Sequence, residues 1–255
     1  NLNNIGDTAN TVNGSNPGSV AYKYSIGKYE ITADQWNTVR SADVNIGNVG
    51  TWSESQPTAS ATWYEAAKFA NWLTSGDALI GAYNFSDATT FTGVDRTSAL
   101  NTYGTIYVLP TDDEWYKAAY FKNDGSGYTL YATGDSAPTA GSDTNYNSFS
   151  TFPWDVGNGT IENNGTYDMG GNVAEWTESA YDGTLDILNE NRTMRSGAWN
   201  VNINGVKSSN RSSTNPVTTD NKNGFRIASI AVPEPSSAGL LAIGALSCLV
   251  RRKRR

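Results

Sequence analysis

The stretch from Phe121 to Asn172 constrains this chain most. It is rich in Gly, Asn, Asp, Ser and Thr, and its apolar residues follow neither a helical nor a strand period. So long a segment without regular structure inside a folded chain is uncommon, and it needs a clamp such as an ion or a dense hydrogen-bond network. The fold expected is therefore one of short elements joined by long ordered loops. With 8 Trp, 14 Tyr and 7 Phe there is enough large apolar surface to anchor a core. Three helix starts can be read on either side of the stretch. Thr32 with Gln35, Thr62 with Glu65 and Thr111 with Glu114 each place a hydroxyl and a carboxylate or amide three residues apart, the capping-box pattern. Apolar positions 63, 66, 67, 70 and 73 continue the second at helical spacing, and Gly76 can end it. Strands are expected over 22–26, 106–109, 173–176, 194–199 and 225–230.

Two absences set the chemistry. The chain has no histidine, which excludes Ser-His-Asp triads, His-ligated zinc or iron and imidazole acid–base catalysis. Its one cysteine, Cys248, excludes an internal disulfide, a Cys-x-x-Cys redox centre and a thiolate cluster. The net charge is −7, and five of the 18 basic residues are the terminal Arg251–Arg255, so the body is more acidic still. Nucleic-acid binding, which needs clustered Lys and Arg to displace counterions, does not fit.

The tail is a separate object. Pro233, Glu234 and Pro235 are followed by fifteen uncharged residues, 236–250, and then by the basic cluster. As a helix the uncharged run spans about 22 Å, short of a hydrocarbon core of about 30 Å. One reading is a weak C-terminal anchor with its basic end cytoplasmic. The other rests on the order of the parts, which resembles the PEP-CTERM sorting signal of bacteria. That resemblance implies an exosortase-type partner, transient anchoring in the inner membrane by the C-terminal segment, and a body delivered to the cell surface or beyond. The chain opens on Asn1 and not Met, as expected where a signal peptide has been removed.

Six landmarks occur in one order: 24–32 (YSIGKYEIT), 62–67 (TWYEAA), 109–115 (LPTDDEW), 170–176 (GGNVAEW), 195–199 (RSGAW) and 224–228 (GFRIA). The series resembles the formylglycine-generating enzyme (sulfatase-modifying factor) domain over about residues 18–230. The resemblance implies an α+β fold, a variant of the C-type-lectin type, with a small twisted antiparallel sheet, two main helices and much irregular structure. It divides the chain into a domain over 1–230 and a sorting signal over 231–255. Oxidase members of the family hold copper(I) with a cysteine pair after the strand that matches 195–199; here the corresponding positions are Val201 and Val206, which have no thiolate. No copper is expected, and the iron-dependent sulfoxide synthases of the superfamily, which need histidines, are excluded too.

The resemblance also implies structural calcium. Asp168 and Glu175 would supply carboxylates, Gly171 and Val173 carbonyls, and a second position would use Asn145 and the carbonyl of Tyr146; hard oxygen donors suit that ion. The plainer alternative is a tight turn with Glu175 simply paired. A glycosidase-like carboxylate pair has no supporting spacing. Arg195 and Arg226 are expected in internal ion pairs. Ligand binding is expected after the lost cysteines, where Asn200, Asn202, Asn204, Asn210, Arg211, Asn215 and Asp220 surround Trp199; the order resembles retroelement-diversified binding proteins of the same lectin-like variant. Amides that donate and accept beside rings that stack make an adaptable recognition surface, unless the amides satisfy their own backbone. The reading is an exported, non-catalytic module that binds a polysaccharide or a surface protein at the cell surface or in the extracellular matrix. The alternatives are an enzyme with altered chemistry and a purely structural envelope protein.

Overall fold

All three capping boxes form. In a computed structural model that describes residues 17–50, 52–183 and 188–232, Thr32, Thr62 and Thr111 sit in extended backbone. Each accepts from the amide three residues on and receives that residue's side chain on its own N–H. They open α1 (Ala33–Ala42), α2 (Trp63–Ser75) and α4 (Asp112–Tyr120). Between the last two lies α3 (Arg96–Tyr103), capped by Asp95, whose carboxylate accepts from Ser98 N at 2.9 Å. Its apolar stripe is too thin to read in sequence; among the described residues it joins the three helices whose starts the capping boxes mark.

Among the described residues the strands form three small sheets. Here β1 (Ser25–Ile26) and β4 (Thr105–Val108) flank β9 (Ala228–Ala231), antiparallel on both sides, with Ser25 opposite Ser229 and Ile106 opposite Ile230. A hairpin joins β2 (Tyr83–Phe85) and β3 (Phe91–Val94). The third sheet runs β7 (Ser212–Thr214), β6 (Arg192–Arg195), β5 (Ala174–Ala180), β8 (Asn223–Gly224). Its last pair is parallel, while the other pairs of the described sheets are antiparallel, as expected. The strand expected over 194–199 ends at Arg195, because Ser196 and Gly197 both take φ 76 and turn the chain away.

Trp36 stacks on Phe69 with centroids 5.5 Å apart and meets Phe225 edge-on, joining α1, α2 and the approach to β9. Buried indoles keep their N–H groups satisfied: Trp63 donates to the Thr177 carbonyl at 2.8 Å and Trp176 to the Ala61 carbonyl at 2.9 Å. Each such ring, fully removed from water, contributes about 1.5–3 kcal/mol. A second cluster sets Trp115, Tyr116 and Tyr120 of α4 against Ala132 and Met169, and so docks the irregular stretch. That stretch contains only isolated bridges and turns. Among the described residues no helix is long and apolar enough to cross a membrane. Pro233, Glu234, Pro235 and the 236–250 run lie outside the described residues.

Candidate functional site

Three loops meet on one hub, the fully buried Asn172. Its N–H donates to the Asn145 carbonyl (2.8 Å), its carbonyl accepts from Trp199 N (2.9 Å), and its Oδ1 accepts from Trp154 N (2.9 Å). Its Nδ2 donates to Glu30 at 2.7 Å. Asn172 and Asp168 both hold φ 60, a conformation that Asn and Asp tolerate better than other residues with a Cβ. Gly171, at φ 100, lies so close to the Asn145 carbonyl that a Cβ there would overlap it. The loop 168–173 thus positions 145–154 on one side and 196–201 on the other. Asn147 N also donates to the Val201 carbonyl at 2.6 Å and Ser148 N to the Trp199 carbonyl at 2.8 Å.

Beneath the hub lies a buried charge network. Arg226 grips Glu175 with Nη2 at 2.6 Å from Oε1 and Nε at 2.7 Å from Oε2, both side chains fully buried; Trp115 Nε1 also donates to Oε2 at 2.6 Å. Arg195 is likewise paired, with Asp112, which Arg211 shares. Glu30, Glu162 and Asp168 are buried around the first pair. Burial pushes the Glu162 carboxyl up to about 8, with Arg226 opposing and Asp168 adding to the rise. Burial and the charges of Asp168 and Glu175 push Glu30 well above the usual carboxylate range. Asp112 moves the other way, because Arg195 and Arg211 outweigh its burial.

This arrangement bears on calcium. Asp168 Oδ1 accepts from Trp154 Nε1 at 2.8 Å and Oδ2 from Gly157 N at 2.7 Å; the Gly171 carbonyl accepts from Ser196 Oγ at 2.7 Å, and that of Tyr146 from Phe149 N at 3.1 Å. Val173 donates its N–H to Glu30 at 3.2 Å. Asn145 Oδ1 is a buried acceptor without a partner. Among the described residues no three acidic or other metal-binding side chains are grouped as metal ligands. Calcium takes about six to eight oxygens; here the carboxylate oxygens of Asp168 accept from N–H donors and those of Glu175 from Arg226 and Trp115.

The surface above departs from the expected ligand set in two ways. Trp199 is only 7% exposed and packs under Trp52, edge-on at 6.2 Å, so it is floor and not platform. Arg211 is turned inward to Asp112 and to the Tyr181 carbonyl, and its guanidinium lies 4.4 Å from the Tyr181 ring. The Asn210 amide donates to the Gly205 carbonyl at 2.7 Å. Asn202 accepts from Asn204 N, Asn204 from Lys207 Nζ, Asn215 from Val217 N, and Asp220 from Lys222 N. Asn200, Asn202 and Asn204 are nevertheless exposed. The exposed rings are others: Phe152 stacks on Trp52 at 6.2 Å and 30°, and Phe149 stands 65% exposed in the same loop. Sequence reading missed them because they lie in segments without periodicity, where only a cluster of aromatics in polar surroundings could have signalled them. Val206 is buried with Tyr131 and Tyr146, and Val201 packs against them.

A family model described as the sulfatase-modifying factor enzyme 1-like domain matches residues 9–231. The chain belongs to that family. A PEP-CTERM protein-sorting motif matches residues 231–255, which marks this sulfatase-modifying-factor-like protein as an exported one handled by an exosortase-type enzyme. It is 27% identical over 205 residues to a protein named chaperone protein LppX of Paenibacillus barcinonensis, covering 71% of each. Among solved structures it is similar to CarF (TM-score 0.65, 22% identity, 82% of this chain and 87% of that one). It is also similar to Treponema denticola variable protein 1 (0.60, 22%, 82% and 84%) and to PvdO of Pseudomonas aeruginosa (0.56, 17%, 88% and 89%). At these identities the structures show the fold alone.

Proposed function

We propose that this protein is a non-catalytic binding module of the cell surface or extracellular matrix, in which the family's reaction centre has become the floor of a recognition surface. The observation that carries this is the packing of Val201 and Val206 against Tyr131 and Tyr146, beside exposed Asn200, Asn202 and Asn204. Two valines neither ionise nor bind a soft metal, and they sit in an apolar cluster with the two tyrosines. Purified protein supplied with copper and oxygen should leave a cysteine-bearing sulfatase peptide unconverted; formation of a formylglycine aldehyde, read by mass spectrometry, would overturn the reading. The likeness to a protein named as a chaperone favours a second reading, in which the same surface receives another exported protein. Retention on the native host's extracellular matrix tests the first; co-purification with one secreted polypeptide would favour the second.

A further inference from the structure

Among the stretches of this chain without Asp, Glu, Lys or Arg are 44–53, 144–154 and 196–206. At the chain's own 17% charged content about five charges would fall there. Far apart in sequence, they come together in space. Trp52 from the first meets Phe152 from the second and Trp199 from the third, and the backbone bonds of Asn147 and Ser148 lace the second to the third. Of the charges that bound these stretches, Asp43 accepts from Ala78 N, Asp143 from Thr139 N, Arg195 pairs with Asp112 and Lys207 donates to Asn204, while Glu54 and Asp155, beside Trp52 and Phe152, are exposed. The result is a strip of uncharged side chains edged by two exposed carboxylates.

Resting on the binding reading above, we propose that the ligand of this patch is a neutral polysaccharide, with Phe152 and Trp52 as the stacking platform and Asn200 as the polar contact. Sugar rings offer an apolar face to an aromatic ring and hydroxyls around the edge, which suits exposed rings beside amides that both donate and accept. Asn200 is exposed and its side chain makes no hydrogen bond among the described residues, so its donor and acceptor face outward unspent. An anionic glycan meets a chain of net charge −7, exposed Glu54 and Asp155 at the platform's edge, and in Lys207 a cation already bonded to Asn204. A protein ligand would favour an arginine anchor, and Arg211 is turned away into Asp112. Asn147 and Ser148, at φ 59 and 54 and bonded to the neighbouring loop, hold the platform in place before any ligand arrives, which lowers the ordering cost.

The test uses the full chain on matrix from its native host, after periodate (which cleaves sugar diols) or after protease. Periodate should abolish retention, protease should leave it, and raising the salt should change it little. Phe152→Ala should weaken retention about tenfold with an unchanged thermal melt, and Asn200→Ala should weaken it less; Phe149→Ala serves where Phe152→Ala does not fold. Retention lost to protease and kept after periodate makes the ligand a protein, and retention that collapses with salt makes it charged; either overturns the neutral-glycan assignment and leaves the binding reading standing. No retention at all, or retention untouched by every substitution, overturns both.

Discussion

Glu175 and Arg226 are separated by 51 residues in sequence and meet with both side chains dry. A buried pair gains little over an apolar one, but removal of one partner strands the other charge at about 3–5 kcal/mol. Glu175→Gln should therefore lower stability by about that amount in denaturant unfolding, while a calcium chelator leaves the melting temperature of the unsubstituted protein unchanged. A chelator-induced drop would mean that the loop rearranges around an ion. Glu162 makes a second residue-scale prediction. Its native pKa of about 8 lies above its ordinary value of 4.5, so the native state holds a proton that the unfolded chain has released. That contribution to stability is complete below the unfolded value and disappears as pH rises through about 8. Glu30, raised by burial and by Asp168 and Glu175, acts in the same direction. The melting temperature should fall between pH 5 and pH 9, and Glu162→Gln, neutral at every pH, should flatten the slope.

The elements show which features sequence could reveal. The three capping boxes were legible because each is decided within four residues, by a hydroxyl and its N3 partner. The β6 boundary was not, because the strand pattern through Trp199 says nothing of the left-handed turn at Ser196, which exists to bring the 196–201 loop to Asn172. With the turn unseen, Trp199 read as a ring open to ligand, whereas exposed Phe152 and the half-buried Trp52 beneath it carried no periodic signal. The packing of Val201 and Val206 against Tyr131 and Tyr146 depends on long-range contacts that no local pattern carries. Gly171 offers the element-scale test. A methyl there would overlap the Asn145 carbonyl in a backbone conformation that Ala avoids, a cost of about 1–3 kcal/mol. Gly171→Ala should lower the melt and also weaken matrix retention, since the 145–154 loop carrying Phe152 must move. A lowered melt with full retention would show that the platform is positioned from elsewhere.

For the molecule as a whole, the placement of β9 decides what the sorting tail can do. This strand lies between β1 and β4, so the final residues of the folded body are central to a sheet and not appended to it. The pairing ends at Ala231 opposite Thr105, and Val232 N adds one more bond, to the Gly104 carbonyl at 2.9 Å. The ladder is thus described through Val232, and the next residue, Pro233, has no N–H to extend it. Cleavage near Pro235 by an exosortase-type enzyme would remove no hydrogen bond of the described body, whereas a cut a few residues earlier would take out the sheet's central strand. Intact-mass analysis of protein from the native host should find a body ending near Pro235. A chain truncated after Val232 should melt at the temperature of the full chain. A chain truncated after Ile227 should fail to fold, having lost the partner of both β1 and β4. Full-length protein found soluble in the cytoplasm, or a Val232 truncation that melts well below the full chain, would contradict the separation of a self-sufficient body from a disposable signal.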